Sequence, residues 1–141
     1  MARALIGPPA SGSVPRPMGR IFTPAEATRT LPLVRQIVGD VLERGRALIV
    51  LRRRDELSDE DEEQAARLAS ELEDLLHELE QVGCTFRSPD FQHGLIDFPG
   101  IIEGRLVHLC WRDDEPDLRW YHEPAAGFAG RKPIPPELFQ A

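Results

Sequence analysis

The sequence predicts an α+β protein in which a long antiparallel two-helix hairpin packs with a small antiparallel sheet of three or four strands. Two observations support this prediction. Between residues 34 and 82, apolar side chains recur at steps of three and four, the spacing of an amphipathic helix. From residue 84 onward the apolar side chains alternate with polar ones, which is the spacing of a strand.

The first helix is predicted to begin at the segment TPAE, residues 23–26. Thr23 can cap the helix, Pro24 suits its first position, and Glu26 completes a capping box. Pro32 interrupts the pattern, so either the helix kinks there or Thr30 caps a second start. Beyond Pro32 one apolar seam runs at heptad spacing, made of Val34, Ile37, Val41, Leu48 and Leu51.

The second helix has its own start and stop signals. Ser58 is a capping residue followed by acidic side chains, which suit the positive end of a helix, and Gly83 is the expected C-terminal stop. The hairpin therefore spans residues 23–82. Its second seam is made of Ala65, Leu68, Leu72, Leu75, Leu79 and Val82.

A further apolar stripe lies outside this seam, made of Val38, Leu42, Ile49, Ala69 and Leu76. One partner helix cannot cover two stripes, and a small sheet is too short to cover helices of this length. Because monomers rarely expose such a patch, the stripe predicts a homodimer built through the helical hairpin.

Strands are predicted near residues 84–87, 94–98, 105–112 and 118–122, with a turn at Glu103-Gly104 and a four-residue loop at residues 113–116. Placing Trp111 opposite Leu118 collects the apolar residues, including Trp120, on one face. That register puts His108, Cys110, Arg112, Arg119 and Tyr121 on the other face, and His122 opposite to them.

Length and composition limit the functional classes. The 141 residues suit one domain over residues 20–135, after a disordered extension at 1–19 and before a tail at 136–141. Met18, directly before the first helix signal, is an alternative start. The net charge of −7 argues against nucleic-acid binding. Two cysteines and no long apolar segment indicate a cytoplasmic protein without disulfides or membrane spans.

Residues 94–133 hold most of the unusual polar chemistry. Asp97 lies in an apolar strand, where an unpaired carboxylate is costly, so it is predicted to pair with Arg112 or Arg119. Guanidinium groups suit carboxylates and phosphates, which makes a small anionic ligand the functional interpretation. The candidate ligand-binding residues are Asp97, Arg112, Glu115, Arg119, His122 and Arg131.

A second candidate site is a metal site made of His108, Cys110 and His122, since zinc takes nitrogen and sulfur ligands. No cofactor is predicted with the first interpretation, and zinc is the alternative. A Cys110 nucleophile is disfavoured because a thiol in mid-strand is hard to reach. The glycine-flanked loop at residues 127–132 could cradle an anion, but the favoured interpretation is that the glycines turn the chain and Phe128 fills the core.

Several ordered motifs resemble a known family. The segments FTPAEATRTLPLV, GLIDFP, LCWRDDEP, WYHE and GFAGRKPI, spread over about residues 20–135, are similar to the bacterial family called domain of unknown function 2203. The resemblance implies a helical hairpin with a small sheet in a bacterial cytosol. It implies no catalytic residue, because the family has no assigned activity.

The sequence therefore favours a self-associating, small-ligand-binding or regulatory protein without catalysis. The alternative is a metal-binding protein or an enzyme that uses the region of His108, Cys110 and His122.

Overall fold

A computed structural model describes residues 20–88 and 90–140. It confirms the α+β class: two helices, α1 (Pro24–Arg52) and α2 (Asp59–Val82), precede a five-stranded antiparallel sheet. The strands follow one another in space as in the chain, and they are β1 (Thr85–Phe86), β2 (Leu95–Ile102), β3 (Arg105–Arg112), β4 (Trp120–His122) and β5 (Lys132–Pro133). The predictions for residues 1–19 and Met18 lie outside the described residues.

Both helices begin at their predicted capping residues, and α2 ends at its predicted stop. The Thr23 hydroxyl accepts from Glu26 N and the Glu26 carboxylate accepts from Thr23 N, so the predicted capping box is present. Ser58 and Asp61 make the same reciprocal pair at the start of α2. Gly83 ends α2 in the left-handed conformation, with a φ of 114°.

The Pro32 alternatives are settled by one continuous helix, since α1 runs through this residue without a second start. Pro32 removes one backbone donor from the helix. Two threonine hydroxyls on the preceding turn donate to backbone carbonyls, Thr28 to Pro24 and Thr30 to Ala27. Thr30 therefore lies inside the helix rather than at its start.

One face of the sheet packs on the helices and forms the core. Its central residues, Phe98, Leu109 and Trp111, are fully buried, and Phe22 packs edge-on against Phe98. The predicted helix seam is buried at all five α1 positions. The C-terminal helix at Pro136–Phe139 also packs against this core through Leu138 and Phe139.

The second apolar stripe is partly covered within one chain. Val38 and Leu42 are buried and lie against Gly94 at the start of β2, whereas Ile49 and Leu76 are half-buried. The predicted dimer depends on a stripe that the sheet cannot cover. The segment before β2 reaches Val38 and Leu42, so only the half-buried positions Ile49 and Leu76 still support the dimer prediction.

The predicted register between β3 and β4 is wrong by one residue. The structure pairs His108 with His122 and Cys110 with Trp120, rather than Trp111 with Leu118. The connection is not a four-residue loop but runs from residue 113 to 119. Its backbone is held by Trp111, whose Nε1 donates to the Glu115 carbonyl at 2.9 Å, and this longer loop shifts the pairing.

The turn at Glu103-Gly104 is confirmed, with positive φ values of 53° and 78° that match the twist of a tight hairpin. β5 was not predicted. Among the described residues, no helix combines the length and the apolar character that crossing a membrane requires.

Candidate functional site

The observed register collects four polar side chains on the sheet face that points away from the helices. Asp97 of β2 lies opposite Cys110 of β3, and His108 of β3 lies opposite His122 of β4. Successive residues of a strand point to opposite faces, so these two pairs are neighbours on one face. His122 therefore joins His108 and Cys110, which corrects the prediction that it points to the opposite face.

Asp97 is the centre of this group. Its Oδ1 lies 3.2 Å from His122 Nε2, and its Oδ2 lies 3.4 Å from His108 Nδ1 and 3.3 Å from Arg87 Nε. The carboxylate is buried. Burial raises the pKa of Asp97, but the neighbouring His108 and His122 imidazoles lower it by more, so the pKa lies below its ordinary value.

The predicted pairing of Asp97 with Arg112 or Arg119 is wrong. Arg112 forms two bonds of 2.7 Å with Asp114, and Arg119 pairs with Asp117 at 2.9 Å. Both arginines find an acid two residues away in the chain, inside or next to the β3–β4 connection. The carboxylate instead meets the two imidazoles, which the corrected register places beside it.

The geometry of His122 fixes where one of its protons lies. Its Nδ1 is 2.8 Å from the backbone oxygen of Glu123. A carbonyl oxygen only accepts, so Nδ1 carries a hydrogen and donates it. Nε2 then faces Asp97, which also only accepts when ionised. This contact is favourable if Nε2 carries a second proton or if a cation lies between the two groups.

His108 is less well satisfied than His122. Its Nδ1 is buried and makes no hydrogen bond with any described residue, although it lies near the Asp97 carboxylate. The two imidazoles meet edge to face, with ring centroids 5.2 Å apart. Buried polar atoms without a partner are rare in proteins, which marks this position as one that can receive a ligand, water or ion.

Cys110 completes the group. Its Sγ, one oxygen of Asp97 and one ring nitrogen of His122 all lie within 4.8 Å of one another. Burial, followed by the negative charge of Asp97, raises the pKa of the Cys110 thiol to about 12. Without a cation the side chain is therefore a neutral thiol, which disfavours a free thiolate nucleophile.

A cavity of about 310 Å³ opens over these side chains. Its polar floor is the group of four, Arg87 lies at its rim, and its wall is apolar, made of Leu95, Pro124 and Phe128. Gly127, with a φ of 67°, turns the chain so that Phe128 reaches this wall. Phe128 is 38% exposed, so the expectation that it fills the core is wrong.

The remaining candidate residues lie outside this group of four. Arg131 binds both oxygens of Glu115, at 2.6 and 2.7 Å, and its guanidinium lies over the rings of Phe128 and Trp120. Arg119 is exposed and outside the cavity. Of the six predicted ligand-binding residues, only Asp97 and His122 therefore line the cavity.

Sequence reasoning missed Arg87 and assigned Phe128 to the core. Arg87 follows a two-residue strand and carries no motif of its own. Its one signal is its position: Arg87 N donates to Leu95 O at 2.8 Å, and this contact depends on how β1 pairs with β2.

The fold and the cavity together define an α+β protein with a mixed carboxylate, imidazole and thiol site on the open face of its sheet. The chain belongs to the family described as "Uncharacterized conserved protein (DUF2203)", which it matches over residues 20–134. The resemblance seen in the sequence motifs is thereby confirmed. No curated protein and no solved structure matches the chain.

Proposed function

We propose that this protein binds one transition-metal ion of the zinc class through Asp97, Cys110 and His122, and that the ion presents a free coordination position to the cavity. The donor set supports this identity. Zinc takes thiolate, imidazole and carboxylate ligands, whereas magnesium and calcium prefer oxygen ligands alone.

The observation that carries the proposal is the orientation of His122. Metal-binding histidines usually donate their other ring N–H to a carbonyl or carboxylate, which directs the second nitrogen to the metal. His122 makes this contact through Nδ1 with Glu123, and its Nε2 points toward Asp97 and Cys110.

The distances are compatible with a single ion. Bonds of about 2.0–2.3 Å in a tetrahedral site separate ligand atoms by about 3.3–3.8 Å. The three donor atoms lie within 4.8 Å of one another, so small side-chain rotations bring them to these separations. Three protein ligands beside a cavity is the arrangement of sites that keep one position for water or an external ligand.

The competing explanation is a metal-free cluster in which the two imidazoles and Arg87 balance the buried Asp97 carboxylate. The number of metal ions bound per chain distinguishes these two explanations. After chelation and dialysis, Co²⁺ titrated into the full chain should bind at one equivalent and give a thiolate-to-cobalt charge-transfer band, because a coordinating thiol is deprotonated. Elemental analysis of the protein as purified should find a transition metal.

Matched variants locate the site. Asp97→Asn, Cys110→Ser and His122→Gln should each weaken Co²⁺ binding by at least tenfold. Cys84→Ser and His77→Gln are controls, because Cys84 is a buried thiol outside the group and His77 is an exposed imidazole on α2. Absence of stoichiometric binding, or equal binding by the site variants and the controls, would overturn the proposal.

Location and assembly are part of the same proposal. A bacterial cytoplasm is supported by the resemblance and by the two cysteines, which are both buried and free. A homodimer through the helical hairpin is supported by the part of the second stripe that the sheet leaves half-buried, Ile49 and Leu76.

A further inference from the structure

Among the described residues, Arg87 is the one arginine that lines the cavity. Its Nε contacts Asp97 Oδ2 at 3.3 Å, and its side chain is 52% exposed. Its two terminal nitrogens make no hydrogen bond with any residue that the structure describes, and the atom nearest to Asp97 is Nε. They remain available at the cavity rim, and a guanidinium offers them as a planar fork that matches a carboxylate.

The neighbouring arginines are already occupied. Arg112 is held by both oxygens of Asp114, and Arg131 by both oxygens of Glu115. Of the described arginines, it is therefore Arg87 that offers positive charge to an incoming molecule, beside the proposed ion.

The charge balance of the site favours a monoanion. When the proposed ion is bound, its charge is cancelled by the Asp97 carboxylate and a Cys110 thiolate, since a coordinating thiol loses its proton. Arg87 then leaves a single positive charge beside the free coordination position. A dianion would carry one negative charge in excess, in a partly buried place where unbalanced charge is costly.

The wall of the cavity is apolar, and its size limits the ligand. Leu95, Pro124 and Phe128 line it together with the charged and polar side chains. A volume of about 310 Å³ is at the small end of ligand sites. A molecule that matches both the charged and the apolar lining has an anionic head and a short apolar body.

We propose that the cavity binds a small organic carboxylate, whose head lies between Arg87 and the metal ion and whose apolar body packs against Leu95, Pro124 and Phe128. This inference rests on the proposed metal site. It names Arg87 as the residue that selects a carboxylate over a neutral molecule.

The probe is benzoate, titrated into the Co²⁺-loaded full chain and followed by the visible absorption of the cobalt. Benzoate should shift these bands with saturation, because a carboxylate that enters the coordination sphere changes the ligand field. Benzamide, which has the same shape without the charge, should bind at least tenfold more weakly. Phenyl phosphate should also be weaker than benzoate.

Arg87→Gln should weaken benzoate binding by at least tenfold, as expected when a charge-assisted hydrogen bond is lost, while the Co²⁺ affinity stays within a few-fold. Arg119→Gln, an exposed arginine outside the cavity, is the control and should leave benzoate binding unchanged. Phe128→Ala should weaken the binding of benzoate more than the binding of acetate, because acetate has no ring to pack against the apolar side chains of the cavity.

The outcomes separate the two proposals. Failure of Co²⁺ to bind would overturn the metal site and this inference with it. Three results would overturn the carboxylate inference alone in the cobalt-loaded protein: benzoate does not bind, benzamide binds as tightly as benzoate, or Arg87→Gln leaves the benzoate affinity unchanged. Stronger binding of phenyl phosphate would replace the carboxylate by a phosphate ester.

Discussion

Arg131 and Glu115 form a two-bond ion pair, at 2.6 and 2.7 Å, that joins the segment before β5 to the β3–β4 connection. Only 11% and 18% of these two side chains are exposed, so removing either one leaves a largely buried charge. We expect Glu115→Ala to lower the free energy of unfolding by about 3 kcal/mol.

A double-mutant cycle on this pair should therefore show strong coupling. The Arg119–Asp117 pair is the matched control, because it has a similar distance of 2.9 Å but 64% and 60% exposure. Its coupling should stay below about 1 kcal/mol. Equal coupling in the two cycles, measured by urea unfolding, would contradict the structural role given to Arg131.

Two glycines of α1 should respond to alanine in opposite directions. Gly39 is exposed and has no neighbour within 4 Å of an added Cβ, so Gly39→Ala should stabilise the protein by about 1 kcal/mol through helix propensity. At Gly45 the added Cβ would overlap the ring of Phe91. Phe91 belongs to the loop between β1 and β2. Arg46 of α1 holds the backbone of this loop in place, because it donates to the carbonyls of Phe91 and Gln92.

Gly45→Ala should therefore destabilise the protein by about 1–3 kcal/mol, as overpacking does. Thermal unfolding of the two variants gives the comparison directly. If both variants are stabilised, the loop is not docked on α1 as the structure places it.

The capping box of α2 should make stability depend on acid. Hydrogen bonding to Ser58 N lowers the pKa of Asp61, with further contributions from the Ser58 hydroxyl and from Arg54. A carboxyl whose pKa is lower in the folded state stabilises the fold above its unfolded pKa of about 3.9. That contribution is lost as the pH falls through the lower, folded pKa.

The stability difference between the wild type and Asp61→Ala should thus be present at neutral pH and absent in strong acid. Asp59→Ala removes an acid from the same first turn but not from the capping box, and it should cost less at neutral pH. A difference that persists unchanged to low pH would show that the Asp61 contact does not depend on its charge.

Self-association remains a prediction. Its surface is now centred on Ile49, the half-buried stripe residue near the tip of the hairpin, with the exposed Val50 beside it. Light scattering at micromolar concentration should give about twice the chain mass of 15.9 kDa. Ile49→Glu should restore the single-chain mass, whereas Leu33→Glu, at an exposed leucine about 24 Å away along α1, should not.

The helices could be predicted because their signals are local. Thr23, Ser58 and Gly83 act on backbone groups within a few residues, so the sequence alone determines where each helix begins or ends. The sheet register is not local in this sense. Keeping Trp111 and Trp120 on one face was the simplest apolar grouping, but Trp120 instead lies beneath the Arg131 guanidinium on the opposite face.

The candidate site shares this dependence on register. His108 and Cys110 were predicted together because they are two residues apart on one strand, but Asp97 and His122 join them only through cross-strand pairing. β5 is only two residues long, which is too short to show any alternation. Arg87 was missed for the same reason, since its place beside Asp97 follows from tertiary contacts alone.

The alternation along β3 also bears on how this fold can change over time. One face of β3 packs on the helices through Val107, Leu109 and Trp111. The residues between them, His108 and Cys110, point to the other face and form the floor of the cavity. A substitution that alters the chemistry of the cavity therefore leaves the interlocked core untouched. The donor groups that β3 offers to the cavity can therefore change, in evolution or by design, while the strand face that packs on the helices stays the same.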